Sequence, residues 1–146
     1  MYHLRLGVNM YRVLLVDDNA IFRHSLHALV KSTPNWEVCG EAENGENAAR
    51  LAEELRPDAV LVDLSMPGIG GVKATQEVRY RLPSTKIIVL SLHQSKQIAK
   101  TALEAGANAY VLKERADHDL IEALEAVLRN ETYVSVMAEK RLAKSA

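Results

Sequence analysis

The sequence predicts an α/β protein with a doubly wound, five-stranded parallel sheet, strand order 2-1-3-4-5, and helices on both faces. Three observations lead there. Five short apolar runs lack the polar alternation of a half-exposed strand, so both their faces are buried. Stretches of helical spacing separate them, and that regular alternation implies parallel strands joined by right-handed crossovers. Turn chemistry separates the pieces: Pro34-Asn35, Asn44-Gly45, Pro57-Asp58, Pro67-Gly68, Pro83-Ser84 and Gly106-Ala107. The strand order itself comes from the precedent of open sheets of this flavodoxin-like kind, not from any residue.

The strand runs, in order, are RVLLV at 12–16, WEVCGEA at 36–42, AVLVDL at 59–64, KIIVLSL at 86–92 and AYVL at 109–112. The second is the weakest. Phe22, Leu26 and Leu29 share a helical face after the first run, as do Ala48, Leu51, Ala52 and Leu55 after the second. Leu120, Ile121, Leu124, Val127 and Leu128 form the clearest stripe. The stretch 94–105 has a thin apolar face and is expected to be the least stable helix.

The chain has 146 residues, enough for one domain with a single sizeable core. A net charge of -1 argues against nucleic-acid binding by the chain as a whole. The lone cysteine, Cys39, excludes an internal disulfide, fits a cytoplasmic setting and reads as a small apolar strand residue. No apolar stretch reaches the roughly 20 residues of a membrane span. Residues 1–10 lack the apolar middle of a secretory signal and read as an extension: an upstream start, a cloning scar or a disordered arm. The domain is expected over 11–130, with 131–146 a linker or the start of a helix.

Asp17 and Asp18 are adjacent carboxylates directly after an apolar run, where their repulsion is poorly screened. In open α/β sheets, sites form beyond the carboxyl ends of the strands, where the order reverses. With order 2-1-3-4-5, Asp17, Asp18 and Asp63 meet in one crevice. Ser91 ends the fourth strand and Lys113 follows the fifth. Alone, each residue is more simply a turn former, a cap or a solvated charge. Together, three acids, a hydroxyl and an ammonium suit a hard cation such as Mg²⁺ beside a phosphoryl group.

At these residues the chain resembles the receiver domain of bacterial two-component response regulators. VLLVDDN, VLVDLSMPGIGG, IIVLSLH and GANAYVLK carry the resemblance, which covers about residues 11–130. The stretches LSLH, AYVLKE and YVSVMAEKRL are most similar to receivers of the NarL/LuxR type, which precede a helix-turn-helix domain. The resemblance implies a signalling domain, not an enzyme beyond its own phosphoryl transfer and dephosphorylation. Asp63 would take a phosphoryl group from the phosphohistidine of a sensor histidine kinase. Asp17, Asp18, Asp63 and the backbone carbonyl of Ser65 would hold Mg²⁺. Lys113 would pair with the phosphoryl oxygens, Ser91 would bond to them, and Tyr110 would change rotamer in response. A homodimer formed on phosphorylation is in keeping with this family. DNA would be met only through a C-terminal helix-turn-helix domain outside this sequence, which leaves a piece of a longer chain or a stand-alone receiver.

Two residues depart from the pattern. Glu114 follows Lys113 where many receivers carry a proline after a cis bond, which leaves this loop's geometry open. Leu92 follows Ser91 where a smaller residue is common, and is expected to narrow access to Asp63. His24, His27, His93 and His118 show no clustered ligand spacing, though His93 lies near the crevice mouth and is a candidate for tuning phosphoryl hydrolysis. Rival readings fit worse. GIGGVK at 68–73 puts Lys73 where a dinucleotide fingerprint needs its third glycine. An aspartate-nucleophile phosphatase wants a second acid where Ser65 stands. A receiver-shaped module that is never phosphorylated would have no need of the intact acids, Ser91 and Lys113.

Overall fold

In the computed structural model the described residues are 4–5, 8–66 and 70–135. Pro67 and Gly68, and the tail from residue 136, which includes most of YVSVMAEKRL and of the expected helix start, lie outside them.

Six parallel strands form one sheet: β1 (Tyr11–Val16), β2 (Trp36–Ala42), β3 (Ala59–Asp63), β4 (Lys86–Ser91), β5 (Ala109–Leu112) and β6 (Tyr133–Val134). Their order is β2-β1-β3-β4-β5-β6. The first five follow the predicted 2-1-3-4-5. Ahead of them, Leu4–Arg5 pairs antiparallel with Val8–Asn9 in the segment read as an extension.

The helices are α1 (Ala20–Lys31), α2 (Gly45–Leu55), α3 (Gly70–Arg81), α4 (Lys96–Glu104) and α5 (Ala116–Leu128). Successive strand residues face opposite sides, which is why the apolar runs do not alternate with polar residues. Val13, Leu15, Leu61, Ile88, Leu90 and Val111 pack under α1 and α5 with Leu26, Leu120 and Leu124. Leu14, Val16, Val60, Val62, Ile87 and Val89 pack under α2, α3 and α4. That second layer is lined by small residues, Ala48, Ala52, Ala74, Ala99 and Ala102, so these helices lie close to the sheet. α4 buries only Ala99 and Ala102 of its own residues, in keeping with its thin apolar face.

Among the described residues, three helices begin on side-chain caps. Asn19, Asn44 and Ser95 accept from the amides of Phe22, Asn47 and Ile98 at 3.0, 2.9 and 3.1 Å. The weak second run is the edge strand of the sheet, half-buried over most of its length, and its register shifts: Val13 pairs with Val38 but Leu14 with Gly40, leaving Cys39 in a bulge.

In the segment read as a linker or the start of a helix, Tyr133 and Val134 extend the sheet beside Ala109 and Tyr110. Ser135 completes the join. Its amide donates to Tyr110 O at 2.9 Å. Its hydroxyl accepts from Leu112 N at 3.0 Å and donates to the buried Asp119 Oδ2 at 3.0 Å. Arg115 Nε pairs with the same carboxylate at 3.1 Å. A two-residue strand is too short to leave a periodic signal. It exists here because that buried network satisfies the edge of β5.

At the far end of the sheet Arg79 bonds the carbonyls of Gly106, Leu82, Pro83 and Thr85, and Asn108 Oδ1 at 2.7 Å. This single guanidinium ties the end of α3 to the turn after α4.

Candidate phosphoacceptor site

The site lies beyond the carboxyl ends of β1, β3, β4 and β5. β1 stops at Val16 and its chain turns into α1 through Asp17, Asp18 and Asn19. Asp17 N donates to Ala42 O at 3.0 Å, and Asp17 Oδ1 accepts from Asn19 N at 2.8 Å. Asp63 ends β3, and its Oδ1 accepts from Ser65 N at 3.1 Å. Gly71, in the first turn of α3, packs directly on this loop. A Cβ there would collide with Asp63 O and come within 2.5 Å of Leu64 Cα, so no larger residue lets α3 approach Asp63 so closely.

Asp17, Asp18 and Asp63 each offer an oxygen, and these oxygens lie within 4.8 Å of one another. Asp17 and Asp63 are buried, and Asp18 is exposed. Lys113 Nζ stands 3.1 Å from Asp17 Oδ2 and 3.3 Å from Asp63 Oδ1. It also lies 4.5 Å above the centre of the Phe22 ring, a cation–π contact that fixes its direction. Lys113 offsets part of the repulsion between the two buried acids. Asp17 Oδ2 is buried with the Lys113 ammonium as its partner, and among the described residues it accepts no hydrogen bond. A buried carboxylate oxygen with one ammonium beside it and two other carboxylates facing it suits the oxygen donor set of a hard divalent cation, so these three residues could hold one.

Ser91 and Tyr110 sit one layer away. Ser91 is fully buried at the end of β4, and its Oγ accepts from His93 N at 3.1 Å. Tyr110 is buried as well, and its phenol donates to His93 O at 2.6 Å. Burial pushes that phenol up, and the Ser91 hydroxyl offsets part of the shift. Among the described residues Ser91 makes no hydrogen bond to Asp63. Both candidate switch residues hold the segment that leads into α4.

The two departures also have definite places. No peptide bond among the described residues is cis, and Lys113–Arg115 form a 3-10 turn. Glu114 accepts from Gln94 Nε2 at 3.1 Å, bridging the loops after β5 and β4. Leu92 is 65% exposed to solvent. Ser65, offered as a carbonyl ligand, follows Asp63 by two residues and is exposed.

Sequence reasoning missed Arg23 and Glu41. Arg23 Nε pairs with Glu41 Oε1 at 2.6 Å, and the same guanidinium donates to Asp17 O at 2.6 Å. One signal was available: a cation near the positive end of a helix that has no acid in its first turn is unfavourable unless something outside holds it.

With this geometry in hand, comparison with known proteins is specific. Residues 13–125 match the response regulator receiver domain family. The chain is 35% identical to the transcriptional regulatory protein DegU of Brevibacillus brevis over 93% of its own length and 58% of that protein. It is 37% identical to the nitrate/nitrite response regulator protein NarL of Escherichia coli over 91% of its length and 62% of that protein. It therefore spans about three-fifths of these two relatives. Among solved structures, a LuxR-family two-component response regulator from an Aurantimonas species superposes with a TM-score of 0.87 at 34% identity, over 93% of this chain and 97% of that one. The signal receiver domain of a Mycobacterium tuberculosis NarL gives 0.73 at 32% identity, over 79% of this chain and 93% of that one. The chain belongs to the response regulator receiver domain family and is a receiver of the NarL/LuxR type.

Proposed function

We propose that Asp63 is the phosphoacceptor of this receiver and that Asp17, Asp18, Asp63 and the Ser65 carbonyl hold Mg²⁺. The observation that carries this is the meeting of three carboxylates within 4.8 Å, with the Lys113 ammonium against two of them. When bound, the cation would neutralise charge shared between the carboxylates and an incoming phosphoryl group. The rest falls to the chain. An Asp63 oxygen attacks phosphorus as the bond to the donor histidine nitrogen breaks, and that nitrogen keeps the electron pair. Little else is needed, because phosphoryl transfer depends mainly on positioning and charge. Lys113, 3.3 Å from Asp63 Oδ1, is placed to pair with the transferred oxygens.

Switching follows from the next layer. Ser91 Oγ accepts from His93 N and its hydroxyl is bonded to the Tyr110 phenol, so to donate to a phosphoryl oxygen that hydroxyl must turn from Tyr110. Tyr110 then loses its neighbour and moves, and its bond to His93 O goes with it. The result biases two arrangements of the segment before α4 instead of making a new fold. The donor partner in this reading is a sensor histidine kinase in the cytoplasm. The response is a homodimer or a released output domain, and the names of the relatives favour transcription control through DNA. No helix among the described residues is long and apolar enough to cross a membrane.

The test is intact-protein mass after incubation with a small-molecule phosphodonor and Mg²⁺. Wild type gains one phosphoryl group and Asp63→Asn gains none. Undiminished labelling of the variant would refute the assignment.

A further inference from the structure

We infer that Arg23 is a positioning residue for the metal site, held in place by Glu41. This role rests on the Mg²⁺ reading above. Asp17 O is the carbonyl of the Asp17–Asp18 peptide, so whatever holds it sets where the Asp18 carboxylate points. Arg23 does so from α1 at 2.6 Å, and its Nε is anchored at 2.6 Å on Glu41 of β2. The next residue of β2, Ala42, takes Asp17 N at 3.0 Å. The end of β2 thus grips both sides of Asp17, once through backbone and once through the Glu41–Arg23 pair. The other restraints on this loop are Asp17 N to Ala42 O, Asn19 N to Asp17 Oδ1 and the Lys113 ammonium on Asp17 Oδ2, and of these only Lys113 is a side chain from elsewhere. Lys113 holds the Asp17 carboxylate, whereas Arg23 holds the backbone carbonyl between the two acids. The Arg23 side chain is only 13% exposed, and its planar fork reaches the Glu41 carboxylate and that carbonyl at once.

The sign of the effect separates this role from simpler ones. A positive charge near the acids by itself opposes a cation, so removing it would tighten Mg²⁺ binding. A purely structural contact would change the melting temperature and leave Mg²⁺ affinity alone. A positioning residue gives the reverse of both: weaker binding in a protein that still folds.

The experiment is an amide NMR titration of the full chain with Mg²⁺, read at residues 17–19 and 63–65. Partners that orient metal ligands are worth about 10- to 100-fold in affinity. Arg23→Ala should therefore raise the Mg²⁺ dissociation constant about 10-fold or more while the spectrum stays dispersed. Glu41→Gln should raise it less. The double variant should match Arg23→Ala, because Glu41 acts only through Arg23. Arg23→Lys keeps the charge but not the fork, and should recover only part of the loss. If Arg23→Ala does not fold, Arg23→Lys and Glu41→Gln carry the same test. Unchanged or tighter binding in these variants would overturn the role, as would full additivity in the double. A wild-type spectrum indifferent to Mg²⁺ would overturn the metal reading itself and this role with it.

Discussion

Asp18→Asn should raise the stability of the metal-free protein. The substitution removes one charge and keeps the shape. The three carboxylate oxygens lie within 4.8 Å of one another, which corresponds to about 3.5 kcal/mol of repulsion per pair at an effective dielectric of 20 and about 0.9 in water. Asp18 is exposed, so the lower figure governs, and it faces two partners. Lys113, beside Asp17 and Asp63, offsets part of this. A net gain of about 1–2 kcal/mol remains, or roughly 2–8 °C in melting temperature for a domain of this size. The assay is thermal melting by circular dichroism in EDTA at low salt. Raising the salt to about 1 M, where the Debye length is ~3 Å, should shrink the difference. Mg²⁺ at about ten times its dissociation constant should return roughly 1.4 kcal/mol to wild type and much less to the variant. The gain in stability comes with a loss of phosphorylation, the trade expected of a functional site. Glu104→Gln, an exposed acid near the end of α4, is the control. Asp58, a turn acid by sequence, would not serve, because its Oδ2 accepts from Arg12 N at 2.8 Å. If Asp18→Asn melts at or below wild type without metal, Asp18 is a structural turn residue and the electrostatic reasoning fails.

Other substitutions test the layers around the site. Ser91→Ala should leave phosphorylation of Asp63 largely intact but reduce the change in amide exchange over 92–112, and equal changes in both proteins would count against the coupling. Ser135→Ala strips the partner from Leu112 N and from Asp119 Oδ2, and should cost about 1–3 kcal/mol in denaturant unfolding; an unchanged midpoint would mean β6 contributes nothing. Tyr110 and Tyr133 are both pushed up, chiefly by burial. The unfolded chain therefore releases these protons first as pH climbs past about 10, so stability should fall with pH above that point. Tyr110→Phe should flatten that slope, measured by urea unfolding from pH ~8 upward.

Much of this was legible because strand ends are where an open sheet places its chemistry. Five unalternating runs implied a sheet buried on both faces, and that sheet brings Asp17, Asp18, Asp63 and Lys113 together from three strands. Ser91 and Tyr110 were legible as strand residues, but their bonds to the two sides of the His93 backbone were not, because no motif encodes a contact to a backbone carbonyl. β6 stayed hidden because its stability comes from one hydroxyl, Ser135, and from a buried acid, Asp119, that looks like an ordinary residue at the start of a helix. Arg23 and Glu41 stayed hidden for a related reason. They lie 18 residues apart on different elements, and only the folded sheet makes them a pair.

The central claim, that the acid crevice accepts a phosphoryl group on Asp63, is tested most directly by locating the label. An acyl phosphate is reduced by borohydride at the modified carboxylate, which marks the residue permanently. Peptide mass spectrometry of wild type, phosphorylated with Mg²⁺ and then reduced, should find the mark at Asp63 alone and lose it when EDTA replaces the metal. A mark at Asp17 or Asp18, or one at Asp63 that forms equally well in EDTA, would contradict the account.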